Sequence, residues 1–197
     1  MVKYLIVATG DYQANCYIVY NENISFLIDP GDEFELIDKI LVENKLMPTA
    51  VLLTHGHFDH VGAVNSIKEK YESKIYMNSD DDQLLSFMRT KDFDVDVDLK
   101  NTNHISMGDI VVECIKTPGH SQGSMCYKIG NLLFTGDTLF KGSVGRCDLP
   151  GGSSSVMLNT LSNKILKMDD SLIVLPGHGE KSTMANEKST NYYLKNL

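Results

Sequence analysis

His55, His57, Asp59 and His60 bring four metal-binding groups into six consecutive positions, within Thr54-His55-Gly56-His57-Phe58-Asp59-His60. The chain has six histidines, and three of them fall here. Imidazole nitrogen and carboxylate oxygen together suit a borderline divalent cation such as zinc. The plain alternative is a polar surface loop rich in histidine, which has no need of so many ligand types at such close spacing.

Three further positions share one context. They are His120 in Thr117-Pro118-Gly119-His120-Ser121, Asp137 in Phe134-Thr135-Gly136-Asp137-Thr138, and His178 in Pro176-Gly177-His178-Gly179. Each follows an apolar run and has glycine beside it, which lets the backbone turn sharply and approach an ion closely. Taken singly, His120 is as readily a loop histidine and Asp137 a helix cap; their joint order and context argue for chemistry. The seven groups exceed the three protein ligands of one open tetrahedral site and suit two ions sharing a bridging carboxylate.

The elements that must carry these groups repeat. Apolar runs predict strands at 4–8, 16–20 and 25–28, and the turn Asp29-Pro30-Gly31 follows the third. Helical spacing covers 33–43, a strand covers 50–53, and the first cluster stands at its carboxyl end, where α/β proteins bind ligands. A helix over 60–70, a strand at 74–77 and a helix capped by Ser79 through Met88 come next. The second half follows the same plan, with strands at 110–116, 125–129 and 132–135, a Gly/Ser-rich loop, a helix over 156–167 and a strand at 172–175. Phe26-Leu27-Ile28-Asp29 matches Leu133-Phe134-Thr135-Gly136-Asp137, and Leu53-Thr54-His55-Gly56 matches Pro176-Gly177-His178-Gly179. Two similar halves with a metal site between them are expected.

In order, His-x-His-x-Asp-His, Pro-Gly-His-Ser, Thr-Gly-Asp and Gly-His-Gly resemble the metallo-β-lactamase fold superfamily over nearly the whole chain. The resemblance implies a four-layer αββα sandwich in one domain spanning 1–197. It assigns His55, His57 and His120 to one metal, Asp59, His60 and His178 to a second, and Asp137 to the bridge. It also gives Asp59 the task of orienting a metal-bound hydroxide, and lets Asp29 support the ligands from behind. An Asx turn before Pro30 is an equal role for Asp29. Zinc is the expected ion, with iron and manganese also compatible with the His/Asp set.

Two such metals activate a water and polarise a carbonyl. Five histidines committed to metal leave no spare imidazole as general acid, which favours a leaving group that departs as an anion. A thiolate, with a parent pKa of about 8.5, fits better than an amine. The segments Gly136-Asp137-Thr138-Leu139-Phe140 and Ser143-Val144-Gly145-Arg146 look most like the glyoxalase II group, whose members hydrolyse S-lactoylglutathione. Arg146 matches a basic residue that contacts the glutathione part there; a surface arginine is the alternative. Two departures bear on the substrate: Cys147-Asp148 replaces an expected aromatic, and only 19 residues follow His178, enough for one helix and no separate carboxy-terminal substrate domain. A short bacterial glyoxalase II-like subgroup matches better, through Gly145-Arg146-x-Asp148-x-Pro150-Gly151-Gly152. Cys147 is a packing residue or an oxidisable thiol.

The composition suits these expectations. The chain has 197 residues, 42% hydrophobic and 22% charged, with a net charge of -8, which argues against a nucleic-acid surface. The acidic run Asp80-Asp81-Asp82 and the alternating aspartates at 92–98 read as solvated loop or edge, and His104 as non-catalytic. Four cysteines without a Cys-x-x-Cys pair fit reduced thiols in a cytoplasmic protein; no apolar segment reaches membrane-spanning length. The partner expected is a small thioester, with neither nucleic acid nor membrane. Alternatives are a mononuclear iron persulfide dioxygenase or a lactonase of the same fold; a non-enzymatic metal-binding module stands last.

Overall fold

The computed structural model describes residues 1–88, 90 and 92–197. Its first sheet grows in chain order. Strands β1 (Lys3–Thr9), β2 (Ala14–Tyr20) and β3 (Ser25–Ile28) form an antiparallel meander, helix α1 (Phe34–Glu43) crosses over, and β4 (Pro48–Leu52) returns parallel to β3. Helices α2 (Phe58–Val61) and α3 (Val64–Tyr71) lead to β5 (Lys74–Met77); α4 (Asp82–Met88) and the edge strand β6 (Val97–Asp98) complete this half.

The second sheet repeats the centre of that topology and differs at its edges. β7 (His104–Met107), β8 (Ile110–Lys116), β9 (Met125–Ile129) and β10 (Leu132–Gly136) are antiparallel neighbours. A short ribbon, β11 (Leu139–Phe140) with β12 (Ser143–Val144), precedes the crossover helix α5 (Ser154–Asn163). β13 (Ile173–Pro176) then lies parallel to β10, β14 (Ser182–Thr183) pairs with it antiparallel, and α6 (Met184–Thr190) and α7 (Tyr192–Lys195) follow. In both halves an antiparallel trio, a crossover helix and a parallel strand succeed one another, as the paired sequence segments predict.

Strand alternation sorts the apolar residues into layers. Phe26 and Ile28 join Tyr17, Leu52, Tyr127, Phe134 and Leu175 in the core between the sheets. Leu27, one step out of phase, packs outward with Val51, Ile75 and the helix residues Ile37, Leu41 and Ile67. On the far side Leu133 and Val174 meet Met157, Leu161, Met184 and Leu194. The order is helix, sheet, sheet, helix. β3 is buried along its whole length, as a strand covered on both faces must be.

Several boundaries differ from the sequence expectation. The helix expected over 60–70 is two helices, because Ala63 N–H donates to Pro30 O at 3.0 Å and a Cβ at Gly62 would lie 2.4 Å from Gly31 O. Asn78, not Ser79, caps the turn before α4 by accepting from Asp80 N–H at 3.1 Å, while Ser79 is bonded to Asp98. The helix expected over 156–167 starts at Ser154, capped by Ser153, and ends at Asn163 before a separate 3-10 turn. The single helix expected after His178 is a strand and two helices, interrupted at Asn191, which caps α7. His104 lies exposed on edge strand β7. No helix among the described residues is long and apolar enough to cross a membrane.

Candidate metal centre

The site lies where the two sheets meet at their strand ends, and reciprocal bonds from β2 and β9 join them. Tyr17 on β2 donates its hydroxyl to Pro176 O at 2.6 Å, and Asn15 N–H donates to Gly177 O at 2.7 Å. Tyr127 on β9 donates to Leu53 O at 2.6 Å, and Met125 N–H donates to Thr54 O at 2.8 Å. Each half thus pins the strand end that presents the other half's histidine, His178 or His55. Burial raises both phenols, so they stay neutral donors. Glycine lets the halves touch: a Cβ at Gly136 would lie 2.3 Å from Thr54 Oγ1, and one at Gly177 would lie 2.9 Å from His60 Cε1.

All seven residues singled out as ligands converge here. His55, His57 and His120 form one group able to hold an ion, and Asp59, His60 and His178 another, with the donor atoms of each group within 4.8 Å of one another. Asp137 reaches both: its Oδ2 lies 3.4 Å from His120 Nε2 and 3.6 Å from His178 Nε2, and its Oδ1 lies 3.4 Å from His60 Nε2. A third grouping, Asp29 with His55 and His60, is better read as support, because Asp29 Oδ2 faces the outer Nδ1 of His60 at 3.0 Å.

The outer ring nitrogens fix which way the lone pairs point. Thr54 gives its hydroxyl proton to Asp29 Oδ2 at 2.6 Å, so toward His55 Nδ1, 3.0 Å away, it accepts. His120 Nδ1 meets Arg146 O at 2.7 Å and His178 Nδ1 meets Tyr12 O at 3.0 Å. Carbonyls and carboxylates only accept, so Nδ1 carries the proton in His55, His60, His120 and His178, and Nε2 turns a lone pair inward. His57 is reversed, with Nδ1 2.8 Å from His120 Nε2.

The cluster fits cations. His55 Nε2 and Asp137 Oδ1 are buried without a hydrogen-bond partner among the described residues, a costly arrangement for groups that no ligand engages. Burial and then the neighbouring imidazoles hold His55 far below its usual pKa, and burial with His120 takes His57 down to about 4. Burial opposes charge on His60 too, but the carboxylates of Asp137 and Asp29 outweigh it and raise that ring. Burial is likewise outweighed at His178 by Asp59, which raises it, and at Asp137 by His60, His120 and His178, which lower it to about 2. Asp137 is therefore ionised and His55 and His57 are neutral, the protonation states that ligands require.

Asp29 accepts from Thr54 N–H at 2.7 Å as well as from the Thr54 hydroxyl and His60. Arg146 enters mainly through its backbone, since its guanidinium points to solvent and is held bidentately by Asp148, at 2.7 and 2.8 Å. Cys147 is half-buried, its thiol pKa raised by burial.

One residue reverses expectation. Asp81, inside the acidic run read as solvated, is about 1% exposed and accepts from Gly56, Ser121 and Gly123. Nothing local distinguishes it from Asp80 and Asp82. The Tyr17–Tyr127 pair was also missed, although the matching dipeptides Cys16-Tyr17 and Cys126-Tyr127 mark it.

Comparison with known proteins agrees with this geometry. A family model described as "Metallo-beta-lactamase superfamily" matches residues 9–178. "Probable metallo-hydrolase YqgX" of Bacillus subtilis (strain 168) is 32% identical over 98% of both chains. "Hydroxyacylglutathione hydrolase GloC" of Haemophilus influenzae is 30% identical over 96% of both. Among solved structures, that of the BLEG-1 B3 metallo-beta-lactamase superposes with a TM-score of 0.91 at 33% identity, covering 98% of this chain and 99% of that one. TTHA1623 in a di-iron-bound form superposes with a TM-score of 0.87, also at 33% identity, covering 96% and 100%.

Proposed function

The chain belongs to the metallo-β-lactamase superfamily, whose members are generally metal-dependent hydrolases with two metal ions, and from that premise we propose that it hydrolyses thioesters of small acyl-thiols such as S-lactoylglutathione. His55, His57 and His120 would hold one ion, Asp59, His60 and His178 the other, and Asp137 would be shared. Bound there, divalent ions, zinc foremost, would supply an acidified water and a polarised carbonyl.

The convergence of five imidazoles and two carboxylates on one point carries this reading. Every imidazole of the cluster is committed to it, so none remains to protonate a poor leaving group. A thiolate leaves without that help. Among the described residues the cluster is more open beside its second group: the first triad's rings are buried, whereas the side chains of Asp59 and His178 are 17% and 25% exposed. A cleft of about 320 Å³ borders Asp59, walled by Tyr12 and Phe58, whose rings meet edge to face at 5.2 Å. Substrate would enter there, with Asp59 suited to orient the attacking water. The kinship to GloC favours a glutathione thioester; Arg146 stays a candidate for its carboxylates, provided that Asp148 yields.

Elemental analysis combined with a substrate panel tests the proposal. Two ions per chain and turnover of acyl-thiols, lost on chelation, are expected. Preferential turnover of a β-lactam or an acyl-homoserine lactone would overturn it, as would one iron with oxygen uptake on glutathione persulfide.

A further inference from the structure

Asp81 stands immediately before α4 in the first half, yet its three bonds join loops of both halves. Gly56 N–H donates to Oδ2 at 3.0 Å, the Ser121 hydroxyl donates to Oδ2 at 2.7 Å, and Gly123 N–H donates to Oδ1 at 2.6 Å. Gly56 separates His55 from His57, and Ser121 follows His120. All three donors thus belong to the loops that carry one triad. The space is closely fitted, for a Cβ at Gly123 would lie 2.6 Å from the Asp81 carboxyl carbon. Asp29 makes the contrasting set of contacts, to Thr54 and to His60 of the other triad.

We propose that Asp81 is a positioning residue for one of the two ions: it sets the separation of the His55–His57 loop from the His120 loop, and so the affinity of that triad for metal, without acting on Asp59, His60 and His178. Three donors require three acceptor sites. An ionised carboxylate supplies them, whereas an amide turns an N–H toward at least one donor. Loss of a group that orients metal ligands typically weakens binding by about 10–100-fold.

Resting on the two-ion reading above, the inference is tested by zinc binding to purified metal-free protein, measured by equilibrium dialysis with elemental analysis, and by the visible spectrum of the cobalt-loaded form. Wild type is expected to bind two ions. Asp81→Ala is expected to hold one as tightly as wild type and the other about 10–100-fold more weakly, with one of two cobalt contributions lost. Asp81→Asn and Ser121→Ala should weaken the same ion by smaller factors. In a His57→Ala background, which already lacks that ion, Asp81→Ala should leave the remaining affinity unchanged. Wild-type binding of both ions in Asp81→Ala, or equal weakening of both, would overturn the inference. If Asp81→Ala does not fold, as judged by circular dichroism, Asp81→Asn and Ser121→Ala decide by the same criteria. Wild type that binds fewer than two ions would instead overturn the two-ion reading.

Discussion

The Tyr17 hydroxyl lies 2.6 Å from the carbonyl oxygen of Pro176, on the opposite sheet and two residues before His178. The bond from Tyr127 to Leu53 O, two residues before His55, has the same length. The two bonds occupy equivalent positions in the two halves, but their surroundings differ. Pro176 O also accepts from Asn15 Nδ2 at 2.9 Å, whereas Tyr127 is the one side-chain donor to Leu53 O among the described residues.

Tyr127→Phe should therefore cost more stability than Tyr17→Phe. Leaving a buried carbonyl unmatched costs about 1–3 kcal/mol, and losing one of two bonds about 0.5–1.5 kcal/mol. Urea unfolding of both variants checks the order; equal losses would show that the Asn15 amide does not substitute.

His57→Ala and Asp137→Ala should each lower bound metal below two ions per chain and abolish turnover of S-lactoylglutathione, since each removes a donor that meets ligands of both halves. Metal content and single-substrate kinetics provide the check. Unchanged turnover in either variant would remove the proposed mechanism.

Glu187 yields a pH dependence remote from the cluster. Buried beside Asn191, it accepts from Gly142 N–H at 2.7 Å and from Asn191 Nδ2 at 2.9 Å, tying α6 to the ribbon β11–β12. Burial would raise its carboxyl, but Ser182, Gly142, Asn191 and Asn186 outweigh that and hold it below its ordinary 4.5. A lowered acid contributes stability that is present above pH 4.5 and lost as pH falls through the folded value. Glu187→Gln should depress Tm at pH 7, and the gap to wild type should shrink below pH 4.5. A constant gap would contradict the assignment.

Arg146 and Asp148 lend themselves to a matched pair of substitutions. If Arg146 receives a substrate carboxylate, Arg146→Ala should raise KM for glutathione thioesters several-fold while kcat stays the same, because the bond to His120 comes from the backbone. Asp148→Asn should lower that KM by freeing the guanidinium. Neither should affect an acyl-thiol lacking carboxylates. Exposed ion pairs are weak and salt-screened, so kinetics at low ionic strength give the clearest reading.

The residues that converge at the site were legible in the sequence because each motif is local: a strand end, a glycine and a donor within six residues. The duplicated plan was legible for the same reason, since short, largely apolar runs recur in Ser25–Ile28 and Leu132–Gly136 at matching places. Short edge strands such as Val97–Asp98 and His104–Met107 carried too little pattern to be seen. The break in the helix expected over 60–70 was not legible because Pro30, 33 residues away, takes the bond from Ala63 that a continuous helix would have used internally.

By itself, then, the sequence determined which residues could be ligands, in what order, and on what kind of fold, because residue type and local spacing are written along the chain. Only the tertiary structure decided that His57 faces His120 across 63 positions, that Asp81 is buried while its acidic neighbours are less so, and that Arg146 offers His120 its carbonyl. These depend on where two sheets converge. Such through-space contact is settled by packing and by the need to pair every buried polar group, which no periodicity along the chain records.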